Sequence, residues 1–400
     1  MKIIGIVAEY NPFHLGHELH IRESRRLAGD DSCVLVVMSG DFVQRGEAAM
    51  LSKFSRAEAA CRCGADLVVE LPIPWSLSSA EGFADGAVSL LSAFHPDFIS
   101  FGSETGKLQE LEEIAEVLLH EALEDRVRRR MKEDPGSGYA AARQKVAEEF
   151  LGRPLSVLSQ ANNILAIEYL KSIKRRKLKM QPLSVLRQGA WHDAPGKQSI
   201  LSAADIRSRL RSGESADGAV PDETSEVLLR EKRRGRLNTD PILYDRLLMS
   251  RLRMLTEEDF LELPDASNGM GERLFSALQK GRSVEETIKI AAAKQFTTSR
   301  LRRACVCAAL GIRKRDSFGM PQYARILAFS RKGQSLLHNL RDVAAVPLLT
   351  KPASVKQLDP CAQHVFTLGA KAHDFFTLLY PEEEQRVIGE DWRFHPILWR

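Results

Sequence analysis

The chain has 400 residues, 44% apolar and 28% charged, with 57 Lys/Arg, 53 Asp/Glu and a formal charge of +4. This is ordinary globular composition, sized for about two to three domains, and it excludes a disordered, collagen-like or coiled-coil chain. No apolar stretch approaches the ~18 residues that span a bilayer, and the first residues lack a long apolar core with a small-residue cleavage site. The expectation is a cytoplasmic protein without a membrane segment.

The elements begin with a short apolar strand, Lys2–Ala8, followed by an irregular turn. A helix follows over His17–Leu27, then a strand over Ser32–Met38 that ends at Ser39 and Gly40. Ser52 is placed to cap a helix over Ser52–Arg62, closed by Gly64. A third strand, Asp66–Glu70, stops at Pro72 and Pro74. A helix over Ala80–Phe94 ends before Pro96, and Asp97–Phe101 is a fourth strand ending at Gly102. Near-continuous apolar strands alternating with helices predict α/β architecture, a parallel sheet covered on both faces.

Residues 107–173 read as helices, the last being Ser159–Ile173. Met180–Leu186 reads as a strand and Ser202–Leu210 as a helix. Residues 212–225, rich in Gly, Ser, Asp and Pro, are the linker candidate. The pattern is then helical to about 312. After Pro321 it is mixed, with strands at 323–330 and 344–349 around a helix at 335–341. The expected organisation is a domain at 1–211 with a helical insertion at about 107–158, the linker, and a mainly helical domain at 226–400 with a small α/β part after 321.

Charge is unevenly spread. Residues 1–105 hold 8 Lys/Arg against 14 Asp/Glu, and the remainder 49 against 39. Residues 171–188 carry seven Lys/Arg and no acid, and 295–340 carry nine against Asp316. This favours a polyanion partner for the later chain over a merely solvated face. The six cysteines, Cys33, Cys61, Cys63, Cys305, Cys307 and Cys361, are too few for a disulfide scaffold. Their two C-x-C pairs miss the usual zinc spacing, so reduced thiols are expected and no metal ligands are assigned.

The chemistry concentrates in His14-Leu15-Gly16-His17, at the junction of the first strand and helix. A helix N-terminus presents N–H groups and partial positive charge to phosphate. Gly16 permits close approach, and the imidazoles of His14 and His17 are placed to stabilise charge at a pentacoordinate α-phosphorus. His20, one turn on, extends the same face. Asp41, after the second strand, sits at the carboxyl edge of the sheet. It is placed to hold magnesium or a ribose hydroxyl, and Arg45 to clamp phosphate or acetate. A local loop salt bridge between them is an equal alternative.

This H-x-G-H resembles the signature of the HIGH-type nucleotidyltransferase superfamily. Residues 8–17, 38–47, 66–72, 101–104, 162–171 and 202–207 together resemble the tRNA(Met) cytidine acetate ligases. The match runs in order over most of the chain, with a weaker echo at Gln295–Arg303. The resemblance implies a Rossmann-like HUP domain followed by a basic helical domain that binds tRNA. It implies activation of acetate by ATP, with Mg2+, and acetylation of the wobble cytidine N4 in elongator methionine tRNA.

By the same resemblance Val7, Ala8, Glu9, Tyr10, Asn11, Pro12, Phe13, His14, Leu15, Gly16, His17, Glu18, Leu19 and His20 bind ATP. Gly102, Asn162, Asn163, Arg187 and Gln188 join them. Arg207, ending a Ser202-led helix start, meets pyrophosphate, with Asp205 turned away as a cap. His14, His17, Arg207 and Asp41 form the catalytic set. Arg300, Arg302, Arg303, Arg313 and Lys314 are the RNA contacts, two of the first three at most sharing one face. Leu15 replaces the Asn common in the family and removes one side-chain hydrogen bond. Two other readings compete: an adenylyltransferase for a phosphorylated small molecule, and a non-catalytic ATP- or RNA-binding regulator. The chain's length and basic C-terminal half weigh against the first, and the intact His14, Gly16, His17 and Arg207 against the second.

Overall fold

The computed structural model describes residues 1–134, 138–187, 201–317, 319–341 and 343–400. The first half builds β1 (Ile3–Ala8), β2 (Cys33–Ser39), β3 (Leu67–Leu71), β4 (Phe98–Ser103) and β5 (Gln181–Leu186). They pair in parallel in the order β3-β2-β1-β4-β5. Every residue of β2 and β3 is buried, as a sheet covered on both faces requires. The chain moves from β1 to one side and then, with β4 and β5, to the other. The carboxyl ends of β1 and β4 therefore frame the crevice where open α/β sheets bind ligands.

Helices α1 (Leu15–Ala28), α2 (Lys53–Arg62) and α3 (Ala80–Ser92) connect these strands. The expected insertion forms helices Leu108–Leu118, Glu121–Glu133 and Tyr139–Leu151, and α4 (Ala161–Arg175) returns to pack on α3 and β4. After β5 come α5 (Ala203–Arg211) and a run of helices from Asp222 that includes α6 (Thr298–Leu310). No helix among the described residues is long and apolar enough to cross a membrane.

The C-terminal part departs from the expected division. Strand β6 (Ala324–Ser330) pairs antiparallel with β3, extending the first domain's own sheet. The short β7 (Leu348–Leu349) and β8 (Ile397–Trp399) flank β6 in parallel. Tyr323, Ile326, Leu336 and Phe366 share one apolar core with β2, β3 and α3. A second core joins Phe42, Ala48, Ile73 and Leu77 to the helical unit through Leu248, Leu274, Leu301 and Phe376 of α7 (Pro360–Thr377). The segment after 321 is thus part of the body built on the N-terminal sheet, not an appendage of the helical domain.

The expected linker at 212–225 is also a packed connection. Ala216, Ala219 and Val220 are buried in a third core with Ile4, Ile6 and Phe13. Leu15 N–H donates to the Ala219 carbonyl at 3.3 Å. Its small residues suit close packing as well as they suit a hinge, and composition does not separate the two.

Four of the seven basic residues at 171–188 are neutralised within the fold. Lys171 is buried against Glu168 at 2.6 Å, Lys174 pairs Glu116 at 2.5 Å, Arg175 pairs Glu81 at 2.6 Å and Arg176 pairs Asp85 at 2.7 Å. Most of these partners lie on other elements, which removes much of the polyanion argument for this segment.

Candidate active site

Helix α1 begins at Leu15, two residues before its expected start, because His14 caps it. His14 has extended backbone, φ −142° and ψ 171°, and its Nδ1 accepts from Gly16 N–H at 3.0 Å. In return His17 Nδ1 accepts from His14 N–H at 3.3 Å. The two imidazoles play the reciprocal parts that Ser and Glu play in a capping box. The rings lie 3.8 Å apart.

This arrangement sets the tautomers. A nitrogen that accepts from a backbone N–H carries no proton, so in each neutral ring the proton is on Nε2. Burial, with the nearby Arg187 guanidinium, holds His14 and His20 down to about 4. Burial, then His14, holds His17 well below its ordinary value. At neutral pH His14 and His17 are therefore uncharged Nε2–H donors. Their Nε2 atoms have no partner among the described residues.

His20 is engaged differently. Its Nε2 lies 3.0 Å from Ser100 Oγ, which also meets Ser24 Oγ at 2.6 Å. It ties α1 to β4 beneath the crevice. The turn before His14 divides likewise. Tyr10 and Phe13 are buried and meet edge to face at 4.7 Å. Asn11 Oδ1 accepts from Met50 N–H at 2.9 Å. The side chains of Tyr10, Asn11 and Phe13 are thus spent on packing. Glu9 accepts from Gln44 N–H at 2.7 Å, and burial raises its carboxyl pKa. Val7, Ala8, Leu15, Gly16, Glu18 and Leu19 are half-buried along the strand end and first helical turns, and Pro12 is buried.

Arg207, on α5, reaches the same turn. Its Nη1 donates to the Asn11 carbonyl at 3.0 Å, and its Nη2 lies 3.6 Å from Glu47 Oε2. Its Nε is buried without a partner. Asp205, as expected, caps this helix start, accepting from Ser202 N–H at 3.2 Å. Arg45 is exposed, near enough to Glu9 and Arg207 to act on both electrostatically. Across the crevice Arg187 donates to Asn162 Oδ1 at 3.1 Å. A Cβ on Gly102 would lie 2.9 Å from Arg187 Cγ, so Arg187 covers Gly102. Gln188 lies outside the described residues. An otherwise acidic N-terminal region thus presents imidazole and guanidinium donors at one point, which suits a polyphosphate.

Asn163 and Asp41 are turned inward. Asn163 is fully buried, its Oδ1 accepting from Glu104 N–H at 2.9 Å and its Nδ2 donating to Gln160 Oε1 at 2.7 Å. Asp41 Oδ1 accepts from Lys53 N–H at 2.7 Å, and Oδ2 pairs with His373 Nδ1 at 2.8 Å. Burial opposes ionising Asp41, but His373 and Lys53 hold its pKa far below the usual range. With both oxygens committed, Asp41 has none to offer magnesium or ribose. Its expected catalytic role gives way to a structural one. Among the described residues no group of three or more His, Cys, Asp or Glu is arranged to hold a metal ion.

The expected RNA contacts are mostly engaged. Arg303 is buried and donates to the Gln44 carbonyl at 3.4 Å, so its expected phosphate contact is replaced by a contact within the fold. Arg300 donates to the Asp265 carbonyl at 2.6 Å, and Arg302 pairs Glu285 at 2.5 Å. Arg313 pairs Asp259 at 2.5 Å, and Lys314 donates to the Leu261 carbonyl at 2.7 Å.

Glu104 is a site residue that inspection of the sequence missed. Its Oε2 accepts from Asn163 N–H at 2.9 Å and its Oε1 from Asn162 Nδ2 at 2.6 Å. It orients the helix start that holds Asn162, and its place just beyond β4 at the carboxyl edge was the available signal. A cavity of about 620 Å³, lined by Lys2, His95, Lys177 and Lys179, opens where the strands begin, away from this chemistry.

The HIGH Nucleotidyl Transferase family matches residues 1–391. The tRNA(Met) cytidine acetate ligase of Acetivibrio thermocellus is 32% identical, covering 100% of both chains. The enzyme of the same name from a Thermoanaerobacter species is 35% identical, again over 100% of both. This chain belongs to the tRNA(Met) cytidine acetate ligase family. A crystal structure of Thermotoga maritima TmcAL bound with alpha-thio ATP superposes with a TM-score of 0.90, at 30% identity and over 100% of both chains. The buried Arg207 Nε is left without a protein partner.

Proposed function

We infer that this protein is an ATP-dependent ligase that activates acetate as acetyl-adenylate and acetylates N4 of the wobble cytidine in elongator methionine tRNA. The observation that carries the reading is the mutual capping of His14 and His17, which aims two neutral Nε2–H donors from a helix N-terminus. The relatives' shared name supports a methionine tRNA cytidine and acetate as the substrates.

In the first step an acetate oxygen attacks the α-phosphorus and pyrophosphate leaves. His14 and His17 donate to the oxygens that gain charge, which neutral donors do without repelling Arg207 or Arg187. Arg207 and Arg45 meet the departing pyrophosphate. Asn162 and Arg187 line the opposite wall, where the nucleoside is expected. Magnesium, when bound, would supply further positive charge to the phosphates. In the second step the cytidine amine attacks the acetyl carbonyl and AMP leaves. A weak, ring-delocalised amine needs such an activated donor. Arg300, Arg313 and Lys314 remain the proposed phosphate contacts, exchanging their present partners on binding, and Arg302 remains proposed to face the RNA.

The test is nucleoside mass spectrometry of an unmodified elongator methionine tRNA transcript incubated with the protein, ATP, magnesium and labelled acetate. Labelled N4-acetylcytidine at the wobble position, lost with His17→Ala, is the expected result. No label from folded, ATP-binding protein would overturn the reading. AMP transfer to a small phosphate ester would then support the adenylyltransferase.

A further inference from the structure

Beside the nucleotide site a cavity of about 210 Å³ opens between the Glu47–Ala48 strand and the helical unit. Glu47, Arg211, Asn238, Tyr244, Leu248 and Arg302 line it. Pockets for drug-sized ligands run about 300–1,000 Å³, so this one suits a single planar ring better than a nucleotide. Leu248 and the Tyr244 ring supply the apolar wall. Glu47 supplies an acceptor, and Arg302 and Arg211 supply donors.

That distribution selects among small ligands. Acetate could pair with Arg211 or Arg302 but offers Glu47 no donor. Cytosine presents an amine donor at N4 beside acceptors at N3 and O2, and carboxylates accept from that amine. Uracil would place an oxygen against Glu47 and leave two acceptors facing each other. Glu47 is also the link to the chemistry. Its Oε2 is 3.6 Å from Arg207 Nη2, and its Oε1 is 3.9 Å from Arg302 Nη1. One carboxylate thus borders both the nucleotide site and the cavity. Its position is held by Gly46, whose φ of +76° and close approach to the Arg303 backbone seat the turn on α6.

We propose that this cavity receives the cytosine ring of the RNA substrate, unstacked from its neighbours, and that Glu47 holds N4 and accepts its proton during transfer. The proposal rests on the ligase reading above. N4 forms a bond to the acetyl carbonyl carbon. The bond from that carbon to the AMP phosphate oxygen breaks, its electron pair leaving with AMP. The N4 proton passes to the Glu47 carboxylate.

The two half-reactions separate this proposal from the reading beneath it. Acetate-dependent exchange of labelled pyrophosphate into ATP reads activation without RNA, and acetylcytidine formation reads transfer. With Glu47→Gln, exchange is expected to fall by no more than about threefold. Acetylcytidine formation at saturating tRNA is expected to fall about 100-fold or more, the usual scale for a lost general base. Glu47→Asp should recover part of the loss, and Tyr244→Ala should raise the KM for tRNA about tenfold while exchange persists. Exchange by the variant is its own control for folding. Equal loss of both half-reactions in Glu47→Gln would overturn the proposal, because Glu47 would then act only through Arg207. Acetylcytidine formation within threefold of the parent would overturn it too. No acetate-dependent exchange by the unaltered protein would instead overturn the ligase reading, and the pocket assignment with it.

Discussion

Lys53 and Asp391 stand 338 residues apart in the chain and 2.9 Å apart in the fold. Both are buried, and around them lie Glu70 at 2.9 Å from Lys53 Nζ, Arg325 bonded to Asp391, and the Asp41–His373–Glu390 chain. Positive and negative groups alternate, so each buried charge has a partner. The cluster clamps the last turns of the protein onto α2 and β3 at the floor of the site.

Breaking that clamp should be costly. Asp391→Ala leaves Lys53 and Arg325 buried with too few partners, and a loss of about 3–5 kcal/mol is expected. Urea unfolding monitored by circular dichroism measures it. A loss under about 1 kcal/mol would mean that water or rearrangement replaces the carboxylate.

The same cluster predicts a pH dependence of stability. Burial alone would depress His373, but Asp41 and Glu390 overcome it and lift its pKa to about 9. A folded-state value above the ordinary 6.5 contributes stability that is complete below pH 6.5 and is lost as pH rises through 9. The shift corresponds to about 3 kcal/mol. The depressed Asp41 is the same interaction seen from its partner and adds no second term. Stability measured from pH 6 to 10 should decline across this window, and His373→Gln should flatten the decline. An unchanged slope in the variant would place the titration elsewhere.

The histidines of the site should behave in the opposite way. Because His14 and His17 are held neutral, acetate-dependent pyrophosphate exchange should show no histidine inflection between pH 6 and 8. His14→Asn keeps a side-chain acceptor for the helix cap but loses Nε2–H. Stability should stay within about 0.5 kcal/mol while exchange falls roughly 100-fold or more. Comparable loss of stability would show that the imidazole matters chiefly as a cap.

Gly46 is the tightest backbone approach beside the site. A Cβ there would stand 2.8 Å from Arg303 N, in a left-handed conformation at φ +76°. Backbone cannot yield as a flexible side chain can. Gly46→Ala should cost about 1–3 kcal/mol and shift the Glu47 turn. A thermal melt close to that of the parent protein would count against a rigid seat.

What could be read without a fold was what periodicity and local motif encode. The runs at Ser32–Met38 and Asp66–Glu70 had to be doubly covered strands, because no polar residue interrupts them. The pair His14 and His17 around Gly16 had to sit at a helix start, because strand and helix patterns meet there. Reading stopped where one local signal had two physical outcomes. A Gly/Ser/Asp segment serves a linker or a tight packed connection, and the buried Ala216 and Val220 decide for the latter. A carboxylate at a sheet edge serves a ligand or a partner, and His373, from 332 residues away, takes Asp41. The basic run at 171–188 pointed to a polyanion partner because Glu116, Glu81 and Asp85, which pair with Lys174, Arg175 and Arg176, lie 58, 94 and 91 residues away.

The sequence by itself determined the sheet's central strands, the histidine turn at the first helix start and the family, since each depends on short-range pattern or on ordered motifs. Only the tertiary structure decided that the C-terminal strands complete the N-terminal sheet, that Asp41 and Arg303 face inward, and that Glu47 borders a ring-sized cavity. Those outcomes rest on which distant charges and surfaces meet. Pairing across hundreds of residues is set by the whole packing arrangement, which no local stretch of sequence contains.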